Sequence, residues 1–298
     1  MWSDILKTLR PNQWTKNAVV FAALFFAFGD RAQHYQLWAG LRLVLPAALI
    51  FCLASSGVYV LNDILDAPAD RAHPRKRHRP IAAGRLSPVS ALRVGLLLIY
   101  GAAFLAWVLS WKLAVVVGAY IGLQTAYSLW LKHVALVDVL LIAGGFVIRA
   151  IAGAVVLGVG ISPWLLLCAF LLALFLALCK RRQEKVQLAG EPGEGGTRRS
   201  LLQYDERLLD QLIAIVAAAT VVCYAIYTLS PQTIEKFGTA RLGFTIPFVI
   251  FGVFRYLDLV YRHDQGERPE KILLTDAPIL INLALYALAV IVIFVLPR

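Results

Sequence analysis

Long apolar runs broken by short polar stretches dominate the chain. Nine runs stand out, at roughly Asn17–Phe28, Leu43–Leu61, Ala91–Leu109, Leu113–Trp130, Leu136–Leu157, Pro163–Cys179, Leu208–Leu229, Leu242–Val260 and Pro278–Leu296. Most approach the ~20 residues that carry a helix across a bilayer. The first is shorter and extends back through Trp14 if the polar residues there are included. The pattern predicts an all-α bundle of nine transmembrane helices. It forms one domain over residues 1–298, with large loops at about 62–90 and 180–207 and no soluble domain to set apart.

The basic residues fix an expected orientation. With the N-terminus inside, the inner segments hold 20 of the 29 Lys and Arg residues and the outer segments six, while Arg93, Arg149 and Arg255 fall within runs. Inner loops of membrane proteins are enriched in Lys and Arg, so this split predicts a cytoplasmic N-terminus in the inner (plasma) membrane. Six tryptophans, Trp2, Trp14, Trp107, Trp111, Trp130 and Trp164, lie near predicted helix ends, as an interfacial aromatic belt would place them. The opening MWSDILKTLRPNQWTKN is mixed and amphipathic, and Phe28-Gly29-Asp30-Arg31 is a poor cleavage site, so no cleavable signal peptide is expected. The stretch Ala189–Thr197 is rich in Gly and Glu and reads as a loop tip able to cover a site at the membrane surface.

Composition agrees. Hydrophobic residues make up 60%, charged residues 16%, and mean hydropathy is +0.72. The net charge of +11 would suggest nucleic acid in a soluble protein. Here the cations sit in short loops, which points to membrane lipid headgroups and anionic substrates and away from nucleic acid. Cys52, Cys168, Cys179 and Cys223 lie in or at the ends of apolar runs without C-x-x-C spacing, so they read as small buried hydrophobes.

The second run leads into Asn62-Asp63-Ile64-Leu65-Asp66-Ala67-Pro68-Ala69-Asp70. Carboxylates at i, i+3 and i+7 fall within about 60° of one another around a helix. Like charges gathered on one face call for a compensating cation. Mg²⁺ suits them, because it is held by one or two carboxylates plus substrate phosphates, and Asn62 can add a neutral ligand or a hydrogen bond. A solvated helix end carrying a few acids is the plainer alternative, less apt where an apolar run delivers the cluster to the membrane surface. Pro68 predicts that the helix bends or ends between Asp66 and Asp70. His73-Pro74-Arg75-Lys76-Arg77-His78-Arg79-Pro80 follows at once. Cations beside an acidic metal site suit a pyrophosphate, and Lys76 and Arg79 are the candidates. Arg75 and Arg77 are read as topology signals.

These residues together resemble the first signature of the UbiA-type intramembrane prenyltransferases, nine-helix bundles with a central cavity. Tyr127-Ser128-Leu129-Trp130-Leu131-Lys132 resembles a second family element, and Phe146 to Gly153, with Arg149, a third. Within the family, Leu9 to Asn17 (LRPNQWTKN, including Lys16), Lys180-Arg181-Arg182-Gln183-Glu184 and Arg255-Tyr256 resemble the decaprenyl-phosphate phosphoribosyltransferase branch. The second aspartate-rich motif of the aromatic prenyltransferases is replaced by Lys180, Arg181 and Glu184, which suits a lipid monophosphate held by ion pairs, although a topology cluster reads equally well there.

The resemblance implies transfer of 5-phosphoribosyl from phosphoribosyl pyrophosphate (PRPP) to a polyprenyl phosphate with release of pyrophosphate. It implies Mg²⁺ on Asp63, Asp66 and Asp70. It implies substrate contacts from Asn62, Lys16, Lys76, Arg79, Tyr127, Lys132, Arg149, Lys180, Arg181 and Glu184. The product would be a cell-envelope (arabinan) glycan precursor. A prenyl diphosphate-dependent enzyme is the rival within the fold. A transporter is the rival outside it, disfavoured because no internal repeat is visible and the acids sit at the surface rather than mid-span. A homo-oligomer is compatible with the sequence.

Overall fold

A computed structural model describes residues 2–29, 36–73, 76–189, 201, 203–262 and 269–295. Every regular element among them is helical. In chain order they are α1 (Trp2–Leu9), a 3₁₀ segment (Pro11–Phe21), α2 (Ala22–Phe28), α3 (Leu37–Ala72), α4 (Pro88–Leu109), α5 (Trp111–Leu129), α6 (Val137–Leu157) and α7 (Pro163–Ala189). The remainder are α8 (Glu206–Leu229), α9 (Pro231–Phe237), α10 (Ile246–Arg262), α11 (Pro269–Thr275) and α12 (Ala277–Val295), with short 3₁₀ turns at Lys76–His78, Leu131–His133 and Arg241–Thr245.

Among the described residues, eight helices are long and apolar enough to cross a membrane. Their outward side chains are those lipid would solvate: Leu97, Tyr100, Phe104 and Trp107 on α4 are all well exposed. The expected loop tip at Ala189–Thr197 lies almost wholly outside the described residues, as does Arg75. The four cysteines are buried free thiols, as expected.

Two features depart from the sequence expectation. The first apolar run is not a plain α-helix: it is 3₁₀ over Pro11–Phe21 before turning α-helical. The second run does not stop or break at Pro68. One helix of 36 residues carries both Pro46 and Pro68 and continues to Ala72. At 1.5 Å per residue it is about 54 Å long, against a hydrocarbon core of about 30 Å. Its acidic third therefore extends the span rather than forming a separate loop. Pro68 has no amide hydrogen to donate, and Val60, Ile64 and Ala67 of the same helix are packed in a cluster with Ile81, Leu86 and Ala91.

The chain divides into two compact units. The first comprises Met1–Leu24, Trp38–Gly160 and Glu191–Tyr204. In it Val60 and Ala67 of α3 are buried with Ile81, Leu86 and Ala91, and Ile5, Leu9 and Ile64 pack against them. That cluster fastens α1 and the 81–86 loop to the end of α3. Small residues allow close helix approach. A Cβ on Gly57 would lie 2.9 Å from the Gly95 carbonyl oxygen, and one on Gly153 only 2.0 Å from that of Val20. Gly153→Ala must therefore push the 3₁₀ segment off α6. Overpacking of this kind costs about 1–3 kcal/mol. Melting of the purified variant in detergent should fall accordingly, and unchanged melting would mean that the 3₁₀ segment does not lie against α6.

The second unit comprises Phe25–Leu37, Ile161–Gly190 and Asp205–Arg298. Here α7 packs along α8. Its core joins Cys168, Cys223, Tyr224, Tyr227, Phe237, Leu242 and Val290. Capping residues set the element starts: the Asp205 carboxylate accepts from the Leu208 amide (3.4 Å) at α8, and the Ser230 hydroxyl from the Thr233 amide (3.3 Å) at α9.

Candidate active site

The C-terminal end of α3 supplies the acids. Because the helix is unbroken, Asp63, Asp66 and Asp70 keep the i, i+3, i+7 spacing and share one face. Asp63 and Asp70 are buried, at 3% and 4% exposure, whereas the side chain of Asp66 is 26% exposed. Buried carboxylates need close cationic partners to offset desolvation, and three separate parts of the first unit provide them.

Arg79 follows the short 3₁₀ turn after α3. Its Nη1 donates to Asp63 Oδ1 (3.1 Å) and to Asp70 Oδ2 (2.6 Å), spanning the two. Arg10 comes from the N-terminal side and pairs with the same Asp63 oxygen. Its backbone is left-handed (φ 53°, ψ 59°), a conformation uncommon for a residue with a Cβ. It ends α1 and starts the 3₁₀ segment, and its guanidinium lies 5.3 Å from the Tyr59 ring centre. The hydroxyl of Ser56 donates to the Leu9 carbonyl (2.9 Å) and accepts from the Trp14 indole (3.0 Å), which holds that turn on α3. Lys132, in the turn between α5 and α6, is 3% exposed and ion-pairs with Asp66. It also reaches Asn62 Oδ1 (3.4 Å), while Asn62 Nδ2 donates to Asp66 Oδ2 (2.9 Å).

The 78–85 loop is fixed from outside. Arg85 donates to the His78 carbonyl (2.8 Å) and to Asp4 Oδ1 (3.1 Å), and the guanidinium beside Asp4 holds that carboxyl below the usual carboxylate range.

The structure thus brings together Asn62, Asp63, Asp66, Asp70, Arg79 and Lys132, all expected from the sequence. Arg10 joins them, although its residue type and spacing alone assign it no role. The only signal for it was its place in the LRPNQWTKN stretch. Lys76 is exposed at the 3₁₀ turn, its amide 3.4 Å from His73 Nδ1. Tyr127 is half-buried near the end of α5, and Lys16 half-buried on the 3₁₀ segment.

Arg149 is buried on α6, and its hydrogen-bond partners are all neutral. It donates to Asn17 Oδ1 (2.7 Å), the Gly145 carbonyl (2.9 Å) and the Tyr120 hydroxyl (2.8 Å). Asp138, on the same helix, instead accepts from Tyr204 (2.7 Å).

The second unit has its own charged cluster on α7. Arg181 pairs with Glu184, and Lys180 lies 3.9 Å from the same carboxylate. Arg182, beside them, donates to Asp210 (2.6 Å) and stacks 4.1 Å from the Tyr261 ring centre. Tyr261 also donates to Asp210 (2.8 Å), joining α7, α8 and α10.

The donor set of the first unit can be tested against Mg²⁺. Three carboxylates and an amide present oxygen ligands of the kind the ion prefers. Among the described residues, no group of three His, Cys, Asp or Glu is arranged to hold a metal alone. Mg²⁺ is commonly held by one or two carboxylates with substrate phosphates, and the aspartate face offers carboxylates for that. The charges are matched as they stand, three carboxylates against Arg10, Arg79 and Lys132.

Comparison with known proteins gives a consistent result. The model of the UbiA prenyltransferase family matches residues 18–273. The decaprenyl-phosphate phosphoribosyltransferase of Mycolicibacterium smegmatis is 38% identical over 281 residues, covering 92% of this chain and 87% of that protein. The enzyme of the same name from Mycobacterium tuberculosis is 37% identical over 277 residues, covering 92% and 88%. Among solved structures, a UbiA homolog from Archaeoglobus fulgidus bound to DMAPP and Mg²⁺ aligns with a TM-score of 0.73 at 19% identity, over 98% of this chain and 100% of that one.

Proposed function

The chain belongs to the UbiA prenyltransferase family, and from that premise we propose that it transfers 5-phosphoribosyl from PRPP to a polyprenyl phosphate. The observation that carries this reading is the 38% identity, over nearly the whole of both chains, to a decaprenyl-phosphate phosphoribosyltransferase. We read residues 1–298 as one transferase domain in the inner membrane, with the aspartate site facing the cytoplasm. The ninth span would be the segment from Pro11 to Phe28. Eleven 3₁₀ residues at 2.0 Å and seven α residues at 1.5 Å give about 32 Å, enough to cross the hydrocarbon core. Nine spans place both large basic loops inside, in keeping with 20 inner against six outer cations.

Asp63, Asp66 and Asp70 would hold Mg²⁺. When bound, the ion supplies Lewis-acid stabilisation of the departing pyrophosphate. The chain's own cations do the rest. A magnesium-bound pyrophosphate is still an anion. Arg10, Arg79 and Lys132, which pair with these carboxylates here, would become available to phosphate oxygens where the carboxylates serve as metal ligands, the arginines through their planar forks. The C1–O bond to pyrophosphate breaks, its electron pair leaving with the pyrophosphate. A lipid phosphate oxygen forms the new bond to C1. That oxygen is already anionic, so no general base is needed, and catalysis rests on orientation and electrostatics. Lys16, Lys76 and Tyr127 are further donors to PRPP in this reading. Lys180 and Arg181, with Glu184 orienting Arg181, are read as contacts of the lipid phosphate, and Arg149 as a further substrate contact.

Purified protein given labelled PRPP, a polyprenyl phosphate and Mg²⁺ should form a ribosylated lipid, and chelation by EDTA should stop it until Mg²⁺ is restored. A parallel incubation with a prenyl diphosphate is the control. Turnover of that compound without any ribosylated lipid would reverse the assignment.

A further inference from the structure

Helix α6 begins in an unusual way. Its N-cap position is Leu136, with φ 67° and ψ −43° and no side chain able to cap. A bulky residue at positive φ is strained, and the first amides of a helix need acceptors from elsewhere. The Asp138 amide donates to the Val134 carbonyl (3.1 Å), whereas the two amides just ahead of the helix find acceptors 68 positions later. The Leu136 amide donates to the Tyr204 hydroxyl (2.7 Å), and the Ala135 amide to Gln203 Oε1 (3.3 Å). The Tyr204 hydroxyl in turn donates to Asp138 Oδ1 (2.7 Å), two residues into α6. Tyr204 is 2% exposed and Asp138 fully buried. One phenol therefore satisfies a strained amide and a buried carboxyl together.

The turn so held is the one that carries Lys132. It starts where α5 ends, at the Trp130 amide on the Ala126 carbonyl (3.0 Å), and runs through Leu131–His133 to the strained Leu136. The Lys132 ammonium leaves this turn to reach Asp66 and Asn62. We propose that Tyr204 is a positioning residue for Lys132, fixing the α5–α6 turn so that the ammonium is held at the aspartate face. Nothing in the chemistry of the site requires Tyr204 itself to touch substrate. The inference rests on the assignment of Lys132 to the pyrophosphate of PRPP.

Steady-state kinetics on the full chain in detergent test it. Tyr204→Phe keeps the ring and removes both hydrogen bonds. Its KM for PRPP should rise about tenfold, the worth of one buried hydrogen bond, while KM for the polyprenyl phosphate stays unchanged. In a Lys132→Met background, the same substitution should add less than about twofold, because residues acting through one another are not additive. Gln203 is exposed, so Gln203→Ala provides a second variant should Tyr204→Phe fold poorly. It should raise KM for PRPP in the same direction by less, and again only when Lys132 is present. Full additivity of Tyr204→Phe and Lys132→Met, or an equal rise in KM for both substrates, would overturn the positioning role alone. A Lys132→Met enzyme with unchanged KM for PRPP would overturn the site assignment beneath it, and the inference with it.

Discussion

Asp66→Asn should lower turnover by about a thousandfold while leaving the protein folded. The substitution removes one negative charge from the three-carboxylate face and almost nothing else. Asp66 is the most accessible of the three acids, so its loss opens no cavity in a buried cluster. An amide oxygen still accepts from Lys132, which is nearly buried and would be costly to leave alone. Alanine would confuse the two effects, and asparagine separates them. A carboxylate that helps hold a Lewis-acidic ion supports several kcal/mol of transition-state stabilisation, which is about three powers of ten in rate. The readouts are the initial rate with labelled PRPP and the melting temperature in the same detergent. Near-normal turnover in a well-folded Asp66→Asn protein would remove the metal-site reading.

The features legible in the sequence are those with a local cause. Apolar runs of spanning length follow from what lipid tolerates, and eight of the nine recur as helical spans among the described residues. The aspartate spacing survives because helical periodicity fixes a face wherever the helix forms, and Arg79 lies only nine residues beyond Asp70. The rest depends on contacts far apart in sequence. A local rule ends a helix near Pro68, yet α3 runs on, because Val60, Ile64 and Ala67 are packed by α1 and the 81–86 loop. Arg10 looks like one more inner-loop cation until the 3₁₀ segment turns it onto Asp63, 53 positions away. Arg149 reads as a charge awaiting an anion. Its place opposite Asn17, 132 residues earlier, is set by the close approach at Gly153, which no periodicity reveals. The 3₁₀ form itself is hidden for the same reason, since apolar composition is alike for either helix.

Arg79→Ala should be the most destabilising single change at the site, and Mg²⁺ should partly undo it. At the aspartate face, among the described residues, Arg79 is the cation that bridges two carboxylates, and both are buried. Without it Asp63 keeps Arg10, while Asp70 loses its ion-pair partner in the cluster. Breaking a buried pair by deleting one member costs about 3–5 kcal/mol, because the remaining charge is left uncompensated. Apparent melting should fall by roughly 10 °C for a chain of this size. Two further measurements identify the cause. Adding Asp70→Asn to Arg79→Ala should recover part of the loss, since the stranded charge is gone, although one more residue has been altered. Millimolar Mg²⁺ should raise melting of Arg79→Ala more than that of the unaltered protein, because a dication can compensate the oxygens the guanidinium no longer reaches. In the unaltered protein the ion must compete with Arg79 for Asp63 and Asp70, and its stabilisation is smaller by the cost of that exchange. Equal Mg²⁺ shifts in the two proteins, or none in either, would mean that guanidinium and metal do not share these oxygens, and the release of Arg79 toward the pyrophosphate would lose its basis.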